Sequence, residues 1–187
     1  MAHSMTPSML IAPPWLTAQP FSESVIILAG HQKNGSLGFI LNRPIGITIK
    51  DLMDDDEEHD PLHTNRPVLF GGPVEKNSGF VMYEHARKSP LAPGFMVTPT
   101  LSISPARKLL EEGALGHLPG RFELLLGYAS WRQGQLFKEL SQGAWLHTPF
   151  QKKLLFDIPH EERWQLSFEL NGIRPYTFMH VPGGAQA

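Results

Sequence analysis

Seventeen prolines and seventeen glycines are spread through the 187 residues of this chain. Proline fixes φ and removes a backbone donor, and glycine adopts conformations closed to other residues. Together they cut the chain into short elements joined by turns. Val25-Ile26-Ile27-Leu28 reads as a buried strand and Leu37-Gly38-Phe39-Ile40-Leu41 as a second. Asn34-Gly35 between them is a strong hairpin signal, because both residues tolerate positive φ. Asn42-Arg43-Pro44 follows, where proline ends the ladder.

Further along, residues 48–53 suit a short helix, and the acidic run DDDEEHD at 54–60 suits a solvated loop. Val68 to Phe70, Phe80 to Tyr83 and Phe95 to Val97 are strand candidates. Ser104 caps a predicted helix with Pro105 at its first position and Gly113 at its end. Leu124-Leu125-Leu126 is a central strand. Ser130 is read as the cap of a helix from Trp131 to about Gln142, stopped by Gly143. Leu136 and Leu140 share one face of it. In residues 161–170, Trp164, Leu166, Phe168 and Leu170 alternate as in a strand. Pro159, Glu161 and Glu162 before them and Gly172 after them are helix signals, and a helix is the reading adopted. Hairpins mixed with separate helices make the fold class α+β. No linker demands a second domain, so residues 1–187 form one, with 1–7 flexible.

Composition excludes several classes of function. The chain is 41% hydrophobic and 18% charged, as in ordinary globular proteins. Its net charge of −2 lacks the basic excess of a nucleic-acid binder. Without cysteine there is no disulfide, thiolate nucleophile or Cys-ligated zinc. The first twenty residues contain no Lys or Arg and no long apolar core, unlike a signal peptide. No apolar run is long enough to span a bilayer. The expected location is the cytoplasm.

Each candidate for chemistry competes with a plainer role. Ser130 lies between strand and helix signals, as in a nucleophile elbow, but the glycines of G-x-S-x-G are misplaced. His59 and His63 are four apart beside Asp56, Glu57, Glu58 and Asp60, and Pro61 interrupts the helix that a metal pair would use. Gly71-Gly72-Pro73 lacks the Lys-Ser or Lys-Thr of a phosphate loop and reads as a tight turn. Trp131 and Trp145 are core residues by default, with ring stacking on a ligand as the alternative. Arg43 beside a turn and Glu139 on a helix are expected to pair.

Taken in order, these pieces resemble the AlgH/YqgE family of bacterial proteins. The resemblance rests on Leu10-Ile11-Ala12, Phe21, Ser24-Val25, Asn34-Gly35-Ser36-Leu37-Gly38 and Leu41-Asn42-Arg43-Pro44. It continues through Leu69-Phe70-Gly71-Gly72-Pro73-Val74, Gly127-Tyr128-Ala129-Ser130-Trp131, Gly134-Gln135-Leu136, Glu139, Ala144-Trp145-Leu146 and Arg163-Trp164. The chain departs from the family at Gly30 before His31 and at Phe137 after Leu136, where acidic residues are usual. The tail at 173–187 matches loosely.

The resemblance implies a single α+β domain whose bifurcated, partly barrel-like mixed sheet is surrounded by helices. It also implies a part in transcriptional regulation, with no catalytic residues established. No helix-turn-helix or basic recognition helix is present, so an indirect route is expected. The resulting expectation is a non-enzymatic regulatory module that binds a protein partner or a small-molecule ligand, with no cofactor, metal or membrane. Asn42, Arg43, Gly71, Gly72, Tyr128, Trp131, Gln135, Glu139 and Trp145 are its candidate ligand or packing cluster. The alternatives are direct nucleic-acid binding, and a hydrolase using the region of Tyr128, Ser130, Gln135 and Glu139.

Overall fold

The computed structural model describes residues 7–173 apart from 33, 54–60, 87, 89 and 119. The acidic run at 54–60, residues 1–6 and the tail from 174 onward lie outside the described residues. Ten strands form one sheet: β1 (Ser8–Ile11), β2 (Val25–Gln32), β3 (Gly35–Ile40), β4 (Pro44–Thr48), β5 (Pro67–Phe70), β6 (Val74–Glu84), β7 (Phe95–Thr98), β8 (Leu101–Pro105), β9 (Phe122–Arg132) and β10 (Leu146–Pro149). The helices are α1 (Pro61–Thr64), α2 (Ala106–Ala114), α3 (Gln135–Ser141), α4 (Lys153–Phe156) and α5 (Arg163–Leu170). Short 3₁₀ turns lie at Lys50–Leu52 and His160–Glu162. The sheet is a curled half-barrel, in which Phe95 of β7 comes back against Gly30 of β2.

The main path runs β10-β1-β2-β3-β9-β6-β8-β7, with β4 paired to β5 and β5 to β9. The sheet forks at β9. One edge of β9 pairs with β6. The opposite edge pairs antiparallel with β3 from Ala129 to Arg132, and parallel with β5 from Leu124 to Leu126. Gly127 lies between these halves with φ 71°. The chain leaving β5 fills the crotch of the fork: Gly71 N–H donates to Leu126 O at 2.7 Å and Gly71 O accepts from Ile40 N–H at 2.8 Å. A Cβ at Gly71 would lie 2.3 Å from Gly127 O, and one at Gly72 2.1 Å from the Tyr128 carbonyl carbon. Only glycine lets the backbones approach this closely.

Alternation along the strands divides the core between faces. Val25, Ile27, Leu69, Met82 and Leu125 point to the inside of the curl, where Leu154 and Leu155 of α4 also pack. Ile26, Leu28, Ile40 and Ala129 face outward beneath Leu136 of α3. Val68, Val81 and Leu124 face outward beneath Leu109 of α2. Both faces are covered, which explains the near-continuous apolar runs of the sequence.

Two predicted helix starts are corrected. Ser130 and Trp131 belong to β9, because β3 extends the ladder to Arg132, and α3 begins only after Gly134 at φ 74°. Ser104 is paired with Val81 inside the sheet, so α2 begins at Ala106 and runs to Ala114, one residue past the expected end. The helical reading of 161–170 agrees with the 3₁₀ turn followed by α5.

Candidate functional site

Trp131, Gln135, Glu139 and Trp145 meet at one carboxylate. Trp131 Nε1–H and Trp145 Nε1–H both donate to Glu139 Oε2, at 2.8 and 2.9 Å. Gln135 Nε2 donates to Oε1 at 2.8 Å. The two indoles meet edge to face with centroids 6.1 Å apart. Gln135 also accepts from Arg132 N–H at 3.0 Å, which fixes the turn into α3. The site follows from spacing: Gln135 and Glu139 are four apart on one helix, and the tryptophans close either end of it. Both tryptophans are 5% exposed, so the indole donors need partners, and Glu139 supplies them.

Asn42 and Arg43 do not touch that carboxylate. Asn42 Oδ1 accepts from Val25 N–H at 2.9 Å and its Nδ2 donates to Glu23 O at 2.8 Å. Arg43 donates to Gln19 Oε1 at 3.0 Å and to Ser22 O at 2.5 Å. The expected Arg43–Glu139 pair is therefore not formed. Both Asn42 and Arg43 clamp residues 19–23, and Phe21 of that loop packs edge-on to Trp145 at 5.7 Å. Arg43 and Glu139 thus support the same tryptophan, one through Phe21 of the clamped loop and the other by a direct hydrogen bond. Gly71 and Gly72 stand apart from both groups, at the fork.

Tyr128 and Trp131 border a cleft of about 420 Å³ between the β2–β3 hairpin, β7 and the end of β9. Asn34, Ser36, Phe95, Ser130 and Arg132 complete much of its lining. Tyr128 donates from its hydroxyl to Glu75 Oε1 at 3.3 Å. Burial raises its phenol pKa, and the Glu75 carboxylate adds to the effect. Ser130 is exposed on the cleft wall, and among the described residues no histidine is hydrogen-bonded to it. A serine–histidine contact lies instead on the face covered by α3, where Ser36 Oγ is 2.8 Å from His31 Nδ1 and His31 packs on Phe137.

Sequence reasoning gave no role to a second polar centre. Arg163, 2% exposed at the start of α5, uses all five of its N–H groups. Its Nε donates to Ile158 O and its terminal nitrogens to Leu41 O, Leu155 O and both oxygens of Glu123. His160 Nε2 lies 3.1 Å from the same carboxylate. The only local signal was Arg163 beside an aromatic residue at a helix start. For metals, His63 stacks on Phe122 with centroids 6.0 Å apart, and His59 lies outside the described residues. Among the described residues no group of three or more His, Asp or Glu side chains is placed to hold an ion.

Comparison with known proteins places this architecture. The AlgH-like family profile matches residues 9–176. The chain belongs to the AlgH-like family. A UPF0301 protein of Shewanella woodyi is 36% identical over 187 residues, covering 98% of this chain and all (100%) of the relative. A UPF0301 protein of Anaeromyxobacter dehalogenans is 33% identical over 189 residues, covering 98% and 96%. The solution structure of the AlgH protein from Pseudomonas aeruginosa is similar with a TM-score of 0.73 and 29% identity, covering 99% of this chain and 98% of that one. The AlgH-like chain described here is α+β and shares its fold with that solved structure. Among its described residues no helix is long and apolar enough to cross a membrane.

Proposed function

We propose that this AlgH-like protein is a non-catalytic cytoplasmic module that binds a small molecule in the cleft beside the β2–β3 hairpin and affects transcription indirectly, through a partner. The observation that supports this reading is the rigid aromatic wall. Tyr128, held by Glu75, and Phe95, packed against Gly30, line the cleft with two rings beside the polar groups of Asn34, Ser130 and Arg132, while Trp131, on the other face of β9, anchors the strand through Glu139. A preformed cavity with a few placed polar groups is the common form of a small-ligand site. The net charge of −2 supports an indirect route over direct DNA contact.

Titration of isotope-labelled protein with a metabolite panel tests the reading. The expected result is saturable amide shifts at Asn34, Ser36, Ser130 and Arg132, weakened about tenfold by Tyr128→Ala. Salt-dependent DNA binding in the absence of any partner would replace the indirect route. A hydrolytic reading would rest on Ser130, which is exposed on the cleft wall. Labelling of Ser130 by a serine-reactive phosphonate, with turnover lost in the matching alanine variant, would put that reading in first place.

A further inference from the structure

A second cleft, of about 440 Å³, opens between β5, the start of β9 and the segment joining α4 to α5. It shares no lining residue with the hairpin cleft. Its walls carry Arg66, Arg121 and Arg163 against Glu123 and Asp157, leaving one positive charge in a chain of formal charge −2.

The bonding shows which arginine holds that charge. Arg163 has no N–H left to give. Arg121 lies along Glu84, with Nε 3.0 Å from Oε2, and also bonds Asp157. Arg66 differs from both. Its guanidinium lies 4.8 Å over the Phe122 ring, and one N–H donates to Phe122 O at 2.9 Å. Its own carbonyl accepts from Ile49 N–H at 3.0 Å, which ties the backbone down. Among the described residues no carboxylate pairs with it. The result is a half-buried, oriented guanidinium that spends only one N–H among the described residues, on the wall of a cleft.

A fixed guanidinium fork matches the paired oxygens of a carboxylate or phosphate. An anion here would supply the missing counter-charge to a partly desolvated cation. Pro67, Phe156, Ile158 and Pro159 line the rest of the cleft and suit an apolar body. We propose that this cleft is an anion site, in which Arg66 receives the carboxylate or phosphate of a small organic acid with an apolar or aromatic body. The site is independent of the ligand reading for the hairpin cleft.

The test is an amide-shift titration of the full chain with benzoate and, separately, phenyl phosphate, at ionic strength held constant with chloride. Saturable shifts are expected at Arg66, Phe122, Glu123 and His160, and the tighter of the two probes identifies the head group. Arg66→Gln is expected to weaken binding about tenfold, and Arg66→Lys, which keeps the charge but loses the fork, about threefold. Arg132→Gln in the other cleft is expected to change nothing. If Arg66→Gln does not fold, the lysine variant carries the test. Shifts that chloride reproduces, that survive unchanged in the folded Arg66 variants, or that Arg132→Gln removes equally would overturn the proposal.

Discussion

Glu139 and Glu123 are both carboxylates drawn out of bulk solvent, and the protein satisfies them in opposite ways. Glu139 is half-exposed and receives three neutral donors, two indoles and an amide, with no cation among its described partners. Glu123 has a side chain only 11% exposed and receives an arginine fork and a histidine. The difference follows depth. Where water reaches part of the carboxylate, neutral donors suffice and the ring pair around them adds packing. Where water is excluded, an uncompensated charge would be costly, and a full counter-charge is needed. Arg163 does more than neutralise Glu123. It also caps three carbonyls from separate segments, so this centre ties α4, α5 and the exit of β3 to the start of β9.

The largest test of this contrast is Arg163→Met, which strands Glu123 and three buried carbonyls. It is expected to cost about 3–5 kcal/mol in urea unfolding. Adding Glu123→Leu is expected to recover only part, because the carbonyls remain unpaired. Glu139→Ala is expected to cost less, about 1–2 kcal/mol, since water can reach the freed indole donors. A cost as large as that of Arg163→Met would break the comparison.

Glu84 lies between these cases, its side chain 19% exposed and held by two cations that are themselves exposed. The Arg121 guanidinium, helped by Lys152, lowers its carboxyl pKa to about 2. A depressed folded-state pKa stabilises above the unfolded value and is lost as protons bind. Stability is therefore expected to fall as pH drops from about 4.5 to about 2. Because Arg121 is well exposed, the effect is on the order of 1 kcal/mol, and Glu84→Gln is expected to flatten that part of the acid-denaturation curve. The smallest effect concerns Arg43 and Glu139. A double-mutant cycle is expected to show coupling below about 0.5 kcal/mol, whereas a Trp131/Trp145 cycle is expected to give about 0.5–1.5 kcal/mol.

Features encoded within a few residues were legible in the sequence. The Asn34-Gly35 hairpin, the strands beside it and the helical reading of 161–170 needed only local patterns. The tryptophan–carboxylate site was half legible, because Trp131, Gln135, Glu139 and Trp145 are close in the chain even though their common acceptor was not foreseen. Ser130 was misread because a cap and a strand residue look alike until β3 is known to lie alongside. Arg163 and Glu123, forty residues apart, and Arg66 over Phe122, fifty-six apart, left no periodic signal. In each case burial and pairing were decided by strands that meet only in the folded sheet.

The place of β1 has a consequence for how the protein is made. This strand is not at the sheet's edge but between β2 and β10, with Leu10 opposite both Ile26 and His147. Its first neighbour leaves the ribosome almost at once, and its second only after about 135 further residues. Through most of synthesis one side of β1, with Met9, Leu10 and Ile11, stands open for any other strand to join. The growing chain must be kept from its own kind until β10 arrives, and a truncation before Leu146 would make that exposure permanent.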